Sequence, residues 1–576
     1  MMLKWVSKNS LRRLIMNEIN WLSIALGFFG GFGLFLFGME YMGEGLQKAA
    51  GSKMKKLLGV LTNNRFLGVL VGAGVTALIQ SSSATTVMIV GFVNAGLMSL
   101  TQAVGVIMGA NIGTTVTAWI VSLGEWTSFL KPSVMAPLCI VIGVVMTMFA
   151  KKQHVKNVGQ IVFGFGTLFL GLDMMSDAAK PLSTLEEVKS LFIVLGNNPL
   201  LGILVGALVT AVIQSSSASV GILQALATAA LVPWNSAIYI ILGQNIGTCI
   251  TAILSSIGAS KNAKRAAMIH LLFNFIGSIL FAIVASILFK FVVPELAPVS
   301  IEVTQISIIH TVFNVLNTII LFPFASVLVY LAEHIISGGE EVLEGELKHL
   351  DERIIETPSF AVENAVKEVV RMGNLAELNV KAAMEALFEK KEDKIEEVYK
   401  REKIINQLQH GINHYLVKLS NSPISEKEHS IITGLFHTVS DIERVGDHAE
   451  NIGELAEILI KDDLVFSDIA RKELQEIYDA TLKCFELSLQ AYEFADKTIA
   501  KKALPLEQQV DQLEEILRSR HIKRLSENKC SSVPGVVFLD TISNLERISD
   551  HASNIAITIL DENKSLTMED MKLSVE

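Results

Sequence analysis

The chain has 576 residues, of which 51% are hydrophobic and only 18% charged, and its mean hydropathy is +0.46. This excludes a purely soluble globular protein, because such chains carry about 25% charged residues. The residues up to Ile336 include 19 basic and 11 acidic ones, whereas the rest include 29 basic and 47 acidic ones. We therefore expect a lipid-embedded first part and a water-exposed tail. The four cysteines form no Cys-x-x-Cys pair, so we expect no zinc knuckle or disulfide framework.

The first part contains seven apolar segments that are long enough to cross a bilayer, which takes about 20 helical residues. They run at 21–43, 101–123, 133–150, 158–175, 235–257, 265–291 and 306–332. Two further apolar regions, 66–98 and 200–232, are each divided by a short polar run. Their arms of about 14 residues reach about 21 Å, short of the roughly 30 Å hydrocarbon core. We predict two re-entrant hairpins whose polar tips lie inside the membrane.

Three polar motifs of the first part recur at a constant offset of 134 residues. The pairs are Gln80-Ser81-Ser82-Ser83 with Gln214-Ser215-Ser216-Ser217, Asn111-Ile112-Gly113-Thr114 with Asn245-Ile246-Gly247-Thr248, and Asn63-Asn64 with Asn197-Asn198. The sequence therefore contains two copies of one unit. Each copy has three spans, an odd number, so the copies are predicted to be inverted. Inverted repeats with broken helices at the midplane are typical of secondary transporters.

The basic residues of the short loops predict the orientation. Loops 44–65, 151–157 and 258–265 carry 11 Lys and Arg, and loops 124–132, 176–199 and 292–305 carry 3. Because cytoplasmic loops are enriched in Lys and Arg, the first set and the tail are predicted to be cytoplasmic. The basic N-terminal stretch then falls outside. A start at Met16 or an interfacial N-terminal helix would remove that conflict.

The hairpin tips have the chemistry of an ion site. At each break the following arm begins with unpaired N–H groups and the positive end of its helix dipole, and serine caps such ends and adds hydroxyl donors. Two such starts are expected to hold a tetrahedral oxyanion without Arg or Lys. Carbonyl, Gln, Ser and Thr oxygens nearby suit Na⁺. The glycine of each Asn-Ile-Gly-Thr motif predicts a second break, and substrate or ion binding is expected there at Asn111, Thr114, Asn245 and Thr248. The alternative interpretation is that these polar residues only hold helices together.

Other polar residues of the spans are more ambiguous. Glu40 and Asp173 lie near span ends, where an acidic residue is either functional or simply solvated. His270-Leu-Leu-Phe-Asn274 recurs as His310-Thr-Val-Phe-Asn314 on the last two spans. We interpret this repeat as polar contacts between helices.

The tail is predicted to form six amphipathic helices, and its sequence is again duplicated. They lie near 359–390, 393–420, 426–461, 466–500, 506–529 and 534–561. Residues 443–451 match 546–554 at an offset of 103, and the pair Glu402/Asn406 matches Glu507/Asp511. All of these segments except Glu402/Asn406 place Glu and Asp four residues apart on one helix face, where like charges repel. A cation, or Arg444 and Arg547 reaching a neighbouring helix, would relieve that repulsion. A solvated charged face is the alternative.

The paired Gln-Ser-Ser-Ser and Asn-Ile-Gly-Thr motifs resemble those of the type II sodium–phosphate cotransporters over residues 21–330. The resemblance implies Na⁺-coupled uptake of inorganic phosphate at the two Gln-Ser-Ser-Ser tips, which Na⁺ would share. In animal members an Asp before the first motif is tied to a sodium site, and Glu40 stands nearest that position here. This change leaves the number of coupled Na⁺ ions open. The acidic tail is a feature of bacterial members.

The tail motifs resemble those of PhoU proteins, regulators of phosphate uptake built from two three-helix repeats. The resemblance implies metal binding by Glu443, Asp447, Glu546 and Asp550. Oxygen ligands of this kind suit Mg²⁺ or Mn²⁺, with iron or zinc as alternatives. A tail of this type is expected to sense phosphate status or to dock a cytoplasmic partner.

These observations predict an all-α, multi-pass protein of the cytoplasmic membrane, with two inverted repeats, re-entrant hairpins and a cytoplasmic six-helix bundle. The predicted regions are an N-terminal segment (1–20), repeat 1 (21–150), repeat 2 with an extra span (151–332), a linker (333–358) and a PhoU-like domain (359–576). The predicted function is Na⁺-coupled symport of inorganic phosphate. The alternatives are a Na⁺-coupled carrier of another small anion and a phosphate-sensing membrane receptor.

No enzymatic role is expected. The chain lacks a G-x-x-x-x-G-K-[ST] motif, which disfavours ATP-driven transport, and its tail offers no nucleophile–base arrangement. The expected partners are phosphate, Na⁺ and the lipid bilayer, without nucleic acid. A cytoplasmic regulatory partner and a homo-oligomer are further candidates.

Overall fold

The computed structural model describes residues 20–50, 64–126, 132–338, 345–422, 424–527 and 529–561. Nearly all of these residues are helical, and none of these ranges contains a β-strand, which confirms the all-α prediction. Contacts divide the chain into two compact units, a membrane unit that ends at Glu340 and a tail unit that follows it. The predicted N-terminal segment lies outside the described residues, apart from Asn20.

The membrane unit contains fourteen α-helices within the described ranges. They are α1 Trp21–Ala50, α2 Arg65–Ile79, α3 Ser82–Asn94, α4 Leu100–Trp126, α5 Pro132–Phe149, α6 Gln153–Ala179, α7 Glu186–Asn197, α8 Pro199–Ile213, α9 Ser216–Thr228, α10 Trp234–Gly247, α11 Cys249–Ser255, α12 Lys261–Ile287, α13 Val303–Leu321 and α14 Ala325–Ile335. Six helical stretches among them are long and apolar enough to span a membrane, and α2, α3 and α5 are apolar but shorter. The two short pairs, α2–α3 and α8–α9, form the predicted hairpins.

Helix α7 was missed by the sequence analysis, which placed residues 176–199 in a loop. The helix starts with the acidic pair Glu186 and Glu187 and buries Phe192 on its other side, so it is amphipathic rather than apolar. It meets α8 at 109°. The bend lies at Asn198-Pro199, where the Asn198 side chain accepts a hydrogen bond from the Leu201 N–H (3.2 Å) and proline starts α8.

The predicted break at the first Asn-Ile-Gly-Thr motif is wrong. Helix α4 continues through residues 111–114 without interruption. In the second copy α10 ends at Gly247 and α11 starts at Cys249, while Thr248 keeps a helical backbone (φ −59°, ψ −28°). The glycine serves close packing instead, because a Cβ at Gly113 would lie 2.5 Å from the Ala73 carbonyl oxygen of α2.

The two copies pack their hairpins in the same way. A Cβ at Gly109 would fall less than 3.0 Å from the Val69 carbonyl oxygen, and one at Gly243 would meet the Ile203 oxygen as closely. Both pairs are separated by the 134-residue offset of the sequence repeat. Small residues allow helix backbones to approach closely within membranes, so α2 on α4 and α8 on α10 are one packing unit built twice.

Equivalent helices of the two copies run antiparallel against each other. On α1 and α6 a Cβ at Gly31 would lie 2.7 Å from the Gly171 oxygen, and one at Gly38 would lie 2.7 Å from the Gly164 oxygen. Residue numbers therefore rise along α1 while they fall along α6. This is the arrangement that an inverted duplication requires.

The tail unit contains six long helices in the described part of the chain. They are α15 Pro358–Glu389, α16 Glu392–Ser420, α17 Glu426–Lys461, α18 Asp468–Phe494, α19 Lys497–Ser526 and α20 Ser532–Leu560. The first three pack together, as do the last three, and α17 packs on α20. The six-helix bundle expected from the sequence is confirmed.

One helix boundary in the tail differs from the prediction, which ended the fourth helix at 500 and began the fifth at 506. Helix α18 ends at Phe494, followed by Ala495 in the left-handed region (φ 49°). The Asp496 side chain then accepts hydrogen bonds from the N–H groups of the next turn and starts α19. This cap outweighs the stop signal of Pro505, which lies inside α19.

Candidate functional site

Each hairpin breaks at its glutamine. Gln80 and Gln214 adopt the left-handed backbone conformation (φ 60° and 59°), which ends α2 and α8. The second arms then begin at Ser82 and Ser216. Because the glutamine conformation is nearly identical in the two copies, the repeated polar run produces the same break twice.

The first serine of each run caps the helix that follows it. The Ser81 hydroxyl accepts a hydrogen bond from the Ala84 N–H (3.1 Å), and Ser215 does the same for Ala218 (3.2 Å). These caps satisfy one of the unpaired N–H groups at each helix start. Anion binding by the other donors of each tip remains a prediction.

The structure joins the two tips by hydrogen bonds. The Ser83 hydroxyl of the first tip donates to the Gln214 carbonyl oxygen of the second (3.2 Å). The Ser217 hydroxyl of the second tip donates to Thr117 on α4 (3.3 Å), which in turn donates to the side-chain oxygen of Gln80 (3.0 Å). Residues far apart in the sequence thus form one polar site at the junction of both hairpins and α4.

The two glutamines do not share one environment. Gln80 is 5% exposed and bonded to Thr117, whereas Gln214 is exposed. The residue that corresponds to Thr117 in the second copy is Thr251, and its hydroxyl is buried without a hydrogen-bond partner. The hydrogen bond between Gln80 and Thr117 in the first copy therefore has no counterpart in the second.

A second pair of hydroxyl groups repeats this asymmetry behind the tips. Thr76 donates to Thr85 across the first hairpin (3.0 Å). In the second copy Thr210 is fully buried, and its hydroxyl has no partner. The hydroxyl of Ser219, which corresponds to Thr85, instead accepts a hydrogen bond from the Gln244 amide (3.0 Å).

The four Asn-Ile-Gly-Thr residues predicted to bind ions are buried. Asn111 and Asn245 each donate to the backbone carbonyl four residues earlier, at 2.8 Å in both copies. Thr114 and Thr248 do the same at 3.0 and 2.9 Å. Their protons are used within their own helices, which leaves oxygen lone pairs for a cation. Their role in binding remains a prediction.

Glu40 has an exposed side chain on α1. Three residues later α1 passes the first tip, where a Cβ at Gly43 would lie 3.0 Å from the Ile79 carbonyl oxygen. The helix is therefore close to the site, and the predicted link between Glu40 and Na⁺ stays a prediction. The sequence analysis overlooked the threonines at positions 76, 117, 210 and 251. The same 134-residue offset that marked the serine runs would have found them.

In the tail, the arginine beside each repeated motif stays on its own helix. Arg444 lies 3.8 Å from Glu443 and 3.4 Å from Asp447, and Arg547 lies 3.5 and 3.7 Å from the matching carboxylates of α20. The suggestion that these arginines serve a neighbouring helix is thus wrong. Both arginine side chains are well exposed, so such pairs neutralise the carboxylates only weakly.

A cluster of three carboxylates lies between α19 and α20. Oxygen atoms of Glu507, Asp511 and Asp550 all lie within 4.8 Å of one another. Burial raises the pKa of Glu507, and the negative charges of Asp511 and Asp550 raise it further. One oxygen of Asp511 is buried without a hydrogen-bond partner. This set fits a divalent cation, and it shares only Asp550 with the predicted set.

The first copy has a related cluster around Glu402, which is 2% exposed and whose carboxylate oxygens both lack hydrogen-bond partners. Burial raises the pKa of Glu402 to about 8, with further contributions from Asp447, Glu450 and Glu443. Asn406 stands where the second copy has an aspartate. The first cluster also fits a cation, with one carboxylate fewer at that position.

Comparison with known proteins assigns both units. The family model of Na⁺/Pi cotransporters matches residues 34–177 and 182–298, and the PhoU domain model matches 369–456 and 474–559. The chain is 26% identical to YjbB of Salmonella typhimurium, a protein named for a proposed role in inorganic phosphate export, over 92% of this chain and 96% of that protein.

The tail alone matches smaller proteins. It is 26% identical to a Thermotoga maritima protein named phosphate-specific transport system accessory protein PhoU homolog 1, over 36% of this chain and 90% of that protein. The crystal structure of PhoU from Pseudomonas aeruginosa shares 23% sequence identity with a TM-score of 0.33 and covers 35% of this chain and 95% of that chain.

Proposed function

Because residues 34–298 belong to the Na⁺/Pi-cotransporter family and residues 369–559 carry a PhoU domain, we propose that this membrane protein moves inorganic phosphate together with Na⁺ through the two serine tips. One observation carries the proposal. The tips are bonded to each other through Ser83 and Gln214, and through Ser217, Thr117 and Gln80. Polar ends of two half-length helices therefore meet at one point of an otherwise apolar unit.

Phosphate binds between the starts of α3 and α9 in this proposal. A tetrahedral dianion accepts hydrogen bonds, and each helix start supplies backbone N–H groups, serine hydroxyls and the positive end of a helix dipole. Neither tip contains Lys or Arg. Because a neutral donor set holds the anion less tightly than an arginine clamp, it allows release on the other side.

Na⁺ binds to neutral oxygens beside the second tip. In the second copy the Thr251 and Thr210 hydroxyls are buried without partners, and Thr248 keeps its oxygen lone pairs. Hard cations prefer such oxygen ligands. A cation at this position would also offset the charge of the nearby phosphate, which explains why the two ions would move together.

The unequal state of the copies supports alternating access. Gln80 is buried and hydrogen-bonded to Thr117. Gln214 is exposed, and the Thr251 hydroxyl has no hydrogen-bond partner. In an inverted repeat, exchanging the two arrangements opens the site to the opposite side of the membrane. Net direction then follows the gradients of Na⁺ and phosphate, which accommodates both uptake and the export for which YjbB is named.

The tail is proposed to lie in the cytoplasm, in agreement with the basic loops, and to regulate transport. Glu507, Asp511 and Asp550 would hold a divalent metal in its second copy, and Glu402 with Asp447 in its first. Such an ion neutralises clustered carboxylates and ties together the helices that carry them. The oxygen ligands favour Mg²⁺ or Mn²⁺, with iron or zinc as the alternatives.

Flux measurements on purified protein in liposomes test the proposal. We expect uptake of radiolabelled phosphate when Na⁺ is higher outside, and efflux when the gradient is reversed. Uptake that ignores Na⁺ would refute the coupling. Competition by sulfate or a carboxylate with full loss of phosphate flux would favour another anion, and phosphate binding without any flux would favour a receptor.

The serine tips provide the matched variants for that assay. Replacing Ser81–Ser83 or Ser215–Ser217 by Ala is expected to abolish flux, because both tips contribute donors to one anion. Ser190→Ala is the control, since Ser190 is an exposed serine on α7 that bonds its own helix. Wild-type phosphate flux in either triple variant would contradict the proposal, because it would show that the serine side chains serve only helix packing.

A further inference from the structure

The two His-x-x-x-Asn segments of the last spans form the same local structure. His270, Asn274, His310 and Asn314 are all at most 1% exposed. In each segment the asparagine amide donates to the backbone carbonyl of its own histidine, at 3.1 Å on α12 and 2.9 Å on α13. The segments are therefore chemically and locally matched, and only their neighbours distinguish them.

The segment on α12 contacts the end of the second Asn-Ile-Gly-Thr motif. The Asn274 amide also donates to the Cys249 sulfur (3.4 Å). The Cys249 thiol lies 3.6 Å from the Asn245 carbonyl oxygen and 3.4 Å from that of His270. Cys249 directly follows Thr248, the single residue between α10 and α11, whose backbone is helical. Helix α12 thus contacts the residue that follows the motif.

The first copy lacks this link. The residues that correspond to His270 and Asn274 there are Ala136 and Ile140 of α5, which have no polar side-chain atoms. Thr115 takes the place of Cys249, and its hydroxyl donates to its own helix at Ile112 (2.8 Å). Helix α4 is continuous at this point. The polar contact is therefore made in the second copy and not in the first.

Three polar atoms of the α12 segment have no hydrogen-bond partner. They are both ring nitrogens of His270 and the side-chain oxygen of Asn274. Leaving such groups unpaired in an apolar interior is costly. A neutral imidazole has one donor and one acceptor nitrogen, so a ligand that only accepts or only donates satisfies just one of them. Groups that both donate and accept, as water does, are the usual partners of such buried atoms.

We propose that His270 and Asn274 are positioning residues for the cation that binds beside Thr248. Through Cys249, they keep Thr248 and its neighbours in the conformation that presents their oxygens to Na⁺. The inference rests on the proposed Na⁺-coupled transport, and it concerns Na⁺ rather than phosphate because the phosphate donors lie at the serine tips. Residues that orient a ligand to a metal ion act in the same way in other proteins.

The test is Asn274→Leu, which replaces the amide by an apolar group with the same number of heavy atoms. We expect the Na⁺ concentration for half-maximal phosphate uptake to rise about tenfold, by analogy with supporting residues of metal sites. The phosphate concentration for half-maximal uptake, measured at saturating Na⁺, is expected to stay unchanged. Asn314→Leu is the matched control, because it removes the same amide and the same local hydrogen bond from an equally buried position. An equal rise of the half-maximal Na⁺ concentration in both variants would overturn the inference.

Cys249→Ala provides a second variant that disturbs packing less. It is expected to raise the Na⁺ requirement as Asn274→Leu does, and the double variant is expected to show no more than the larger single shift, because both changes break one contact. Two outcomes would overturn this inference and leave the proposed function intact. They are additive rises of the half-maximal Na⁺ concentration in the double variant, and an unchanged half-maximal Na⁺ concentration in a folded Asn274→Leu variant. Absence of Na⁺-dependent uptake in the unaltered protein would instead overturn the proposed function and this inference together.

Discussion

The two hairpins of the membrane unit have nearly the same sequence and backbone, but their side chains have different partners. Gln80 and Gln214 break their helices with φ values of 60° and 59°. Yet Gln80 is buried against Thr117, and Gln214 is exposed. Duplication therefore reproduces local conformation, whereas side-chain pairing depends on the helices that surround each copy. A repeat protein of this kind can hold its copies in two different states at once.

Substitutions between the copies explain part of this difference. Thr85 of the first hairpin is replaced by Ser219 in the second, and Ala110 of α4 is replaced by Gln244 of α10. The Gln244 amide donates to the Ser219 hydroxyl, and Thr210 is left without the partner that Thr76 has in Thr85. One added amide on α10 thus accompanies an unpaired buried hydroxyl near the proposed Na⁺ site.

The largest effect that tests the comparison is expected from the packing glycines. Gly109→Ala and Gly243→Ala each place a methyl group less than 3.0 Å from a backbone oxygen, so each should destabilise the protein by about 3 kcal/mol or prevent folding. Thermal unfolding and the yield of monodisperse protein measure this. Gly30→Ala is the control, because nothing lies within 4 Å of its Cβ position. A normally folded Gly243→Ala protein would show that the copies do not share this packing.

A smaller effect is expected in the reactivity of cysteines placed at the two glutamines. In a Cys530→Ser background, Gln214→Cys should react with a polar thiol reagent about tenfold faster than Gln80→Cys when Na⁺ and phosphate are absent. Adding both ions should narrow or reverse that ratio, because binding shifts the balance between the two arrangements. Ser190→Cys reports any general change in labelling. Equal rates under both conditions would contradict the asymmetry of the tips.

The smallest effect concerns the duplicated tail, where Glu402 and Glu507 occupy matching positions. Because the pKa of Glu402 is raised to about 8, its contribution to stability is complete below its unfolded pKa and is lost as the pH rises toward 8. The protection of α16 from hydrogen exchange, measured relative to the intrinsic exchange rate at each pH, should therefore be higher at pH 5 than at pH 8, and Mg²⁺ or Mn²⁺ should raise it at pH 8. Each pKa unit corresponds to about 1.4 kcal/mol.

Substitution at the two matching glutamates separates the copies of the tail. Glu402→Gln is expected to remove most of this pH dependence from α16. Glu507→Gln should act on α19 instead, because burial and its acidic neighbours raise the pKa of Glu507 as well. Protection factors of α16 that do not change between pH 5 and pH 8 would mean that the Glu402 carboxylate is solvated in solution.

Much of the fold was predictable because its signals are local. Apolar length predicted six of the seven proposed spans correctly, and the seventh, 133–150, forms a shorter helix. A polar run inside an apolar stretch predicted each hairpin break, and most tail helices start and end within two residues of the prediction. The errors arose where two local signals compete. The acidic first turn of α7 made the segment resemble a polar loop, although its other face is apolar. In the tail, the Asp496 cap starts α19 upstream of Pro505, which was predicted to mark a helix boundary. Gly113 was predicted to break its helix, whereas it allows close packing against the backbone of α2 at Ala73, which the local sequence does not reveal.

The sequence by itself determined that the chain enters the membrane, that it is duplicated and where its hairpins turn, since hydrophobic burial and helix capping act between near neighbours. Only the tertiary structure decided which polar atoms meet. Ser83 with Gln214, Ser217 with Thr117, and Asp550 with Glu507 and Asp511 join different helices. A change in helix packing of a few ångströms would separate every one of these groups, because hydrogen bonds and metal ligands act over about 3 Å.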